Sequence, residues 1–89
     1  MYSVEQFTKD NIEFISNCTS EIRECVLETL MVQGFHQNRY SFDDSIPIGA
    51  IYIVLSNIDK YFRDLGWIAM YKKLDDKNIA FQVTVMPRG

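Results

Sequence analysis

His36 is the only histidine in the chain, so it is the first residue to consider for catalytic chemistry. A catalytic histidine works with a nucleophile and with an acidic group that orients its ring. The candidates for those roles are Cys18, Cys25, Asp43 and Asp44. Both cysteines fall on the core-facing sides of predicted helices, where a thiol is inert. We therefore predict that the chain is not an enzyme. We expect His36 in a surface loop after a helix end, where a partly cationic ring suits the helix dipole.

The acidic pairs Asp43-Asp44 and Asp75-Asp76 are isolated in the sequence, and neither is followed by the ligand pattern of a calcium loop. A zinc site needs about four ligands at close spacing. The sequence contains neither a C-x-x-C nor an H-x-x-x-H pair. The glycines, at positions 34, 49, 66 and 89, form no phosphate-binding loop. We predict no metal and no cofactor.

The cysteines also indicate a compartment. Cys18 and Cys25 are seven residues apart, and on one helix their Cα atoms would lie about 10 Å apart, too far for a disulfide. Free buried thiols favour a reducing environment. The chain does not start with a basic stretch followed by an apolar run, and its longest apolar run, residues 46–55, is interrupted by Pro47 and Gly49. The sequence predicts a cytoplasmic protein without a membrane partner.

Charge is divided unevenly along the chain. Residues 1–50 carry eight acidic and three basic side chains, a net charge of −5, whereas residues 51–89 carry four acidic and six basic ones, a net charge of +2. The predicted order of helices followed by a hairpin is close to that of a winged helix, in which the helix before the hairpin enters the major groove of DNA. Nucleic-acid binding is therefore the alternative function. Its candidate residues are Lys60, Arg63, Lys72, Lys73 and Lys77.

The leading interpretation is a small protein-binding module. The second and third predicted helices carry generous apolar surface for a domain of 89 residues, and such a surplus often marks an interface with another protein or with a second copy. The acidic first half could steer the chain to a basic partner. The residues assigned to this surface are Met31, Tyr52, Ile53, Met70, Glu21, Glu24 and Glu28. Packing of the apolar members into one core, and a structural homo-oligomer such as a homodimer, are the other interpretations.

Capping signals predict where the first helices begin and end. Ser3 and Gln6 match a capping box, so the first helix is expected over residues 4–17. The polar residues 18–20 predict a break before a second helix, with a single bent helix as the alternative. Gly34 supplies a left-handed stop for the second helix.

The C-terminal half has the most regular patterning. An apolar stripe predicts a third helix over residues 48–64. Alternation with period two then predicts a hairpin of residues 67–74 and 79–86, joined by a turn with Asn78 in the left-handed conformation. Residues 35–45 fit either a short edge strand or an ordered loop. We predict a single α+β domain, with two to three helices packed on a small antiparallel sheet that contains a C-terminal β-hairpin.

Residues 62–67, which read Phe-Arg-Asp-Leu-Gly-Trp, precede a charged hairpin that ends in Val-Thr-Val-Met-Pro at residues 83–87. Together with an upstream helix that ends in glycine at residues 30–34, this arrangement resembles many small accessory proteins encoded by bacteriophages. Most members of that group have no assigned activity, so no site residues can be transferred. The resemblance implies a protein that acts in the host cytoplasm, where some such proteins bind and inhibit a host protein.

Overall fold

The computed structural model of this chain describes residues 1–77 and 79–89. Its helices are α1 (Val4–Asp10), α2 (Ile12–Gln33) and α3 (Ile48–Asp64), and its strands are β1 (His36–Ser41), β2 (Trp67–Lys73) and β3 (Ala80–Pro87). The third helix has the predicted bounds, and both strands of the predicted hairpin form. The conformation predicted for Asn78 lies outside the described residues.

The strands form one antiparallel sheet in the order β1-β3-β2. In its register Tyr40 lies opposite Phe81, and Tyr71 lies opposite Val83. Strands β1 and β2 therefore run parallel to each other on either side of β3, and α3 provides the long crossover that parallel strands require. Helix α2 contacts β1, α3 contacts β2, and the two helices pack against each other. This arrangement confirms the predicted small α+β fold.

Helix α3 lies at the centre of the core because its apolar residues recur on one face. The buried members are Ala50, Ile51, Val54, Leu55, Ile58 and Phe62. They pack with the buried residues of α2, which are Ile15, Ile22, Val26 and Leu30, and with Phe81, Val83 and Val85 of β3. The Tyr71 hydroxyl of β2 also donates a hydrogen bond of 2.7 Å to the Leu55 carbonyl of α3. The sheet is thus joined to α3 by packing and by a half-buried hydrogen bond.

The break between the first two helices lies at Asn11, so the predicted break at residues 18–20 is wrong, and the alternative of a single helix through those residues is the one that forms. Asn11 leaves the helical conformation, with φ −117°. Its side-chain amide donates to the Phe7 carbonyl at 2.9 Å, which satisfies an acceptor at the end of α1. Helix α2 continues through the polar residues 18–20 because its buried face packs on both sides of them, and tertiary packing outweighs local capping preference.

The start of α1 follows the predicted cap in part. The Ser3 hydroxyl accepts a hydrogen bond of 3.1 Å from the Gln6 backbone N–H, as an N-cap should. The Gln6 side chain does not return to Ser3. It donates instead to the Asp10 carboxylate at 2.9 Å, so the reciprocal half of the capping box is replaced by a contact one turn further along.

Residues 35–45, which the sequence assigned to either an edge strand or an ordered loop, contain strand β1. The position of His36 in this strand differs from the prediction. Residues 36–41 pair with β3, which confirms the edge-strand alternative. His36 is not in a surface loop, because it is the first residue of β1 and only 2% exposed. Gly34, with φ 68°, ends α2 in the left-handed conformation, and β1 begins two residues later. Strand alternation then places His36 opposite Val85 on the covered face of the sheet.

Candidate functional site

An open groove of about 690 Å³ lies between the N-terminal half of α2 and the end of β1 with its connection to α3. Its volume is within the range of ligand-binding sites in proteins. We call it the α2–β1 groove. Its apolar floor consists of Phe14, Ile22, Tyr40, Phe42 and Ile46. Its acidic rim consists of Glu13, Glu21 and Asp43, and the other lining residues are Asn17, Cys18 and Ser41.

A row of aromatic rings connects the apolar floor with the core. Phe14 and Phe42 meet edge to face at 6.4 Å between ring centroids, and Phe42 meets Phe81 of β3 at 6.5 Å. Phe81 in turn meets Tyr52 of α3 at 5.8 Å. Edge-to-face pairs at these distances are favourable. Phe42 is thus anchored to the core through Phe81, so the fold itself holds this part of the floor in place.

The acidic rim carries negative charge that nearby bases do not neutralise. The Ser45 backbone N–H donates a hydrogen bond of 2.9 Å to the Asp43 carboxylate, and this bond lowers the pKa of Asp43. No lysine, arginine or histidine lines the groove in the part of the chain that is described. Arg23, on the same helix, lies over the Tyr61 ring at 5.1 Å. The groove therefore combines an apolar floor with uncompensated negative charge.

His36, which is buried, and Tyr40, which is half-buried and lines the groove, form a polar pair. The His36 Nε2 atom lies 3.0 Å from the Tyr40 hydroxyl, and the two rings are stacked with an interplanar angle of 28°. Burial lowers the pKa of His36 and raises the pKa of Tyr40, which its interaction with Cys25 raises further. Both side chains are therefore neutral near pH 7. Tyr40 is part of the floor, and His36 packs against its ring, so neither side chain adds charge to the groove.

Cys18 is the one thiol that lines the groove in the described structure. Burial raises the pKa of this thiol, and the neighbouring Glu21 carboxylate raises it further. A neutral thiol is a poor nucleophile. The geometry of the groove suits binding by shape and charge better than it suits covalent chemistry.

The residues predicted for protein binding lie on several separate surfaces. Met31 is 85% exposed near the end of α2, and Met70 is 47% exposed on β2. Tyr52 and Ile53 are neighbours on α3, where the Tyr52 ring packs on Phe81 and Ile53 packs against the core. Glu21, Glu24 and Glu28 are exposed along α2, and Glu21 is the member of the predicted set that reaches the α2–β1 groove.

The basic residues predicted for nucleic-acid binding are also dispersed. Lys60 and Arg63 are exposed on α3, and Arg63 lies 3.4 Å from the Asp59 carboxylate. Lys72 and Lys73 are consecutive on β2, so their side chains point to opposite faces of the sheet. Lys77 is exposed in the hairpin connection. The structure does not bring these five side chains together on one face.

The second face of the sheet carries no described helix. The register places Ile68 beside Met86, and it places Gln82 between Arg39 and Lys72. This outer sheet face is therefore apolar at one end and basic at the other. Antiparallel sheets commonly leave one face to solvent, so its exposure alone does not indicate a partner.

No protein-family model, curated protein or solved structure matches this chain. Among residues 1–77 and 79–89, no helix is both long enough and apolar enough to cross a membrane. The same residues contain no cluster of three or more histidine, cysteine or carboxylate side chains that could hold a metal ion.

The α2–β1 groove was not predicted from the sequence. Its walls come from residues 13–22 and 40–46, which are far apart in the chain and meet only when β1 joins the sheet. The available signals were the alternating rings Tyr40 and Phe42 and the surplus of acidic residues in the first half of the chain. Neither signal specifies which helix face lies opposite the rings.

Proposed function

We propose that this chain is a non-enzymatic protein-binding module, and that it binds a segment of another protein in the α2–β1 groove. The observation that carries the proposal is the pairing of an apolar floor with an exposed acidic rim in one groove. Apolar clefts with a few convergent polar groups are the usual form of binding sites. The rim residues belong to the acidic first half of the sequence, whereas the apolar residues predicted for binding, Met31, Tyr52, Ile53 and Met70, do not line the groove.

A library of random peptides, selected for binding to the immobilised protein, tests this proposal. Asn17 is exposed and lines the groove, so Asn17→Trp should fill the groove without disturbing the core. Ser16 is the neighbouring exposed residue of α2 and does not line the groove, so Ser16→Trp is the matched control. We expect selected peptides to lose about tenfold or more in affinity for Asn17→Trp and to bind Ser16→Trp like the parent chain. Selected peptides that bind both variants equally would contradict the proposal, as would failure to select any peptide.

We further propose, on the resemblance to bacteriophage accessory proteins, that the partner is a host protein whose action the module modulates or inhibits. The module would act by occupying a surface of that target. Expression in a bacterial host should then slow growth, Asn17→Trp should relieve the effect, and Ser16→Trp should retain it. Equal growth with all three chains at equal expression would oppose a host target.

A further inference from the structure

We propose that the occupant of the α2–β1 groove is an arginine-bearing amphipathic segment of a partner protein, with its apolar side chains on the floor and its guanidinium groups at the acidic rim. This inference rests on the proposed function and names the chemistry of the partner. It follows from the charge of the rim, the character of the floor and the position of the surrounding bases.

The charge of the rim selects a cationic partner. Glu13 and Glu21 lie two helical turns apart on the same side of α2, and Asp43 faces them from the connection after β1. All three are exposed. Because no basic side chain lines the groove among the described residues, an acidic or neutral segment would leave this charge unpaired. A cationic segment would gain electrostatic attraction in both encounter and docking.

The aromatic floor favours an arginine side chain over a lysine side chain. Phe14, Tyr40 and Phe42 present aromatic rings beside the rim, and Ile22 and Ile46 add aliphatic surface. A guanidinium group stacks on aromatic rings, and its planar donors match carboxylates in a bidentate manner. Its aliphatic stem can lie on apolar surface while its charged end reaches the rim. The groove offers both kinds of contact within one site.

The other bases in this region are directed elsewhere. Arg23 lies over the Tyr61 ring. Arg39 is on the outer sheet face, because it pairs with Gln82 while its neighbour Tyr40 faces the helices. Neither guanidinium group lines the groove, so the rim is open to the arginine side chains of a partner.

The test uses three labelled peptides of about 12 residues, in which leucine alternates with arginine, lysine or glutamine. Binding is measured by fluorescence anisotropy with the full chain at low and at moderate salt. We expect the arginine peptide to bind most tightly, the lysine peptide more weakly and the glutamine peptide about tenfold or more below the arginine peptide. Glutamine and arginine peptides of equal affinity would overturn the inference.

Charge-reversal variants of α2 distinguish binding in the groove from general electrostatic attraction to an acidic protein. Glu21→Lys at the rim and Glu28→Lys outside it change the net charge equally, and both residues are exposed on the same helix. We expect Glu21→Lys to weaken the arginine peptide about tenfold and Glu28→Lys to weaken it about twofold or less. Equal weakening by the two variants would show attraction to net charge and would overturn the inference. Circular dichroism of each variant checks that the fold is retained.

A further variant, Asp43→Asn, tests the part of the acidic rim that lies in the connection after β1. Asp43→Asn removes the charge but keeps a side-chain oxygen for the Ser45 N–H, so the local turn can persist. It should also weaken the arginine peptide. If library-selected peptides are blocked by Asn17→Trp but carry no basic residues, the proposed function stands and this inference fails. If Asn17→Trp blocks no peptide, both fail.

Discussion

The position of His36 in β1, opposite Val85 on the covered face of the sheet, determines the surroundings of its imidazole ring. Its ring stacks on Tyr40 and hydrogen bonds to the tyrosine hydroxyl through Nε2, and it is almost fully buried. Among the described residues, its Nδ1 atom has no hydrogen-bond partner. A buried polar atom without a partner costs stability, and protonation of the ring would place a charge in the same apolar surroundings.

The stability of the chain should therefore fall as pH decreases from about 7 to 5.5. The unfolded chain titrates His36 near its ordinary pKa of 6.5, whereas burial lowers the pKa in the folded state. Below the unfolded value, the unfolded chain binds the proton more readily, so the folded state loses stability, at most about 1.4 kcal/mol per pH unit. Urea unfolding at several pH values measures this slope.

His36→Phe provides the control for that experiment, because it removes the titrating group and retains a ring beside Tyr40. Its stability should vary less between about pH 7 and 5.5 than that of the parent chain. Since His36 is the only histidine, an unchanged slope in the variant would contradict the assignment of the pH dependence to this residue.

Gly34 and Gly66 hold left-handed backbone conformations, with φ 68° and 94°, at the ends of α2 and α3. A Cβ atom at either position would meet nothing within 4 Å, so alanine adds backbone strain without a steric clash. Gly34→Ala should reduce the free energy of unfolding by about 1–2 kcal/mol, and Gly34→Asn by less, because asparagine tolerates this conformation better. Equal losses in urea unfolding for the two variants would argue against backbone strain as the cause.

At the scale of elements, the sequence predicted what depends on local periodicity. The bounds of α3 and the two strands of the hairpin follow from patterns contained within each segment. The break at Asn11, the inward position of His36 and the α2–β1 groove depend on packing between segments. Asn11 is one of several polar residues that could end a helix, and the sequence near it does not show that the buried face of α2 continues through residues 18–20.

Helix α3 should be the element least tolerant of truncated side chains. Ile58 is fully buried, so Ile58→Ala should reduce the free energy of unfolding by about 2–5 kcal/mol. Ile58→Val should cost about 0.5–1.5 kcal/mol and keep the chain folded. Lys60→Ala, two residues away on the exposed face, should change stability by about 0.5 kcal/mol or less. A comparable loss for Lys60→Ala and Ile58→Ala would contradict the placement of α3.

Helix α1 is held at the N-terminal end of α3 by close contact between Phe7 and Gly49. A Cβ atom on Gly49 would lie 3.1 Å from the Phe7 ring, so a larger side chain must displace that ring. We expect Gly49→Leu to detach α1 and to increase trypsin cleavage after Lys9, which lies in α1. Asp64→Leu, at the exposed far end of α3, is the control. Unchanged cleavage at Lys9 in Gly49→Leu would contradict this docking contact.

For the whole molecule, the acidic rim and the bases of the sheet lie on different surfaces. The acidic rim faces the α2–β1 groove on the helix side, whereas Arg39 and Lys72 lie on the outer sheet face. The acidic rim therefore lies on the side that also offers an apolar floor, as the proposed basic partner requires. The opposite face combines Arg39 and Lys72 with Ile68, Met70 and Met86.

Mapping of backbone amide chemical shifts during titration with the leucine–arginine peptide tests the central claim most directly. We expect the largest shifts around Phe14, Ile22, Phe42 and Ile46, and we expect them to disappear in Asn17→Trp. Shifts centred on Met70 and Lys72 of the outer sheet face, or shifts that persist unchanged in Asn17→Trp, would contradict the assignment of the binding site to the α2–β1 groove.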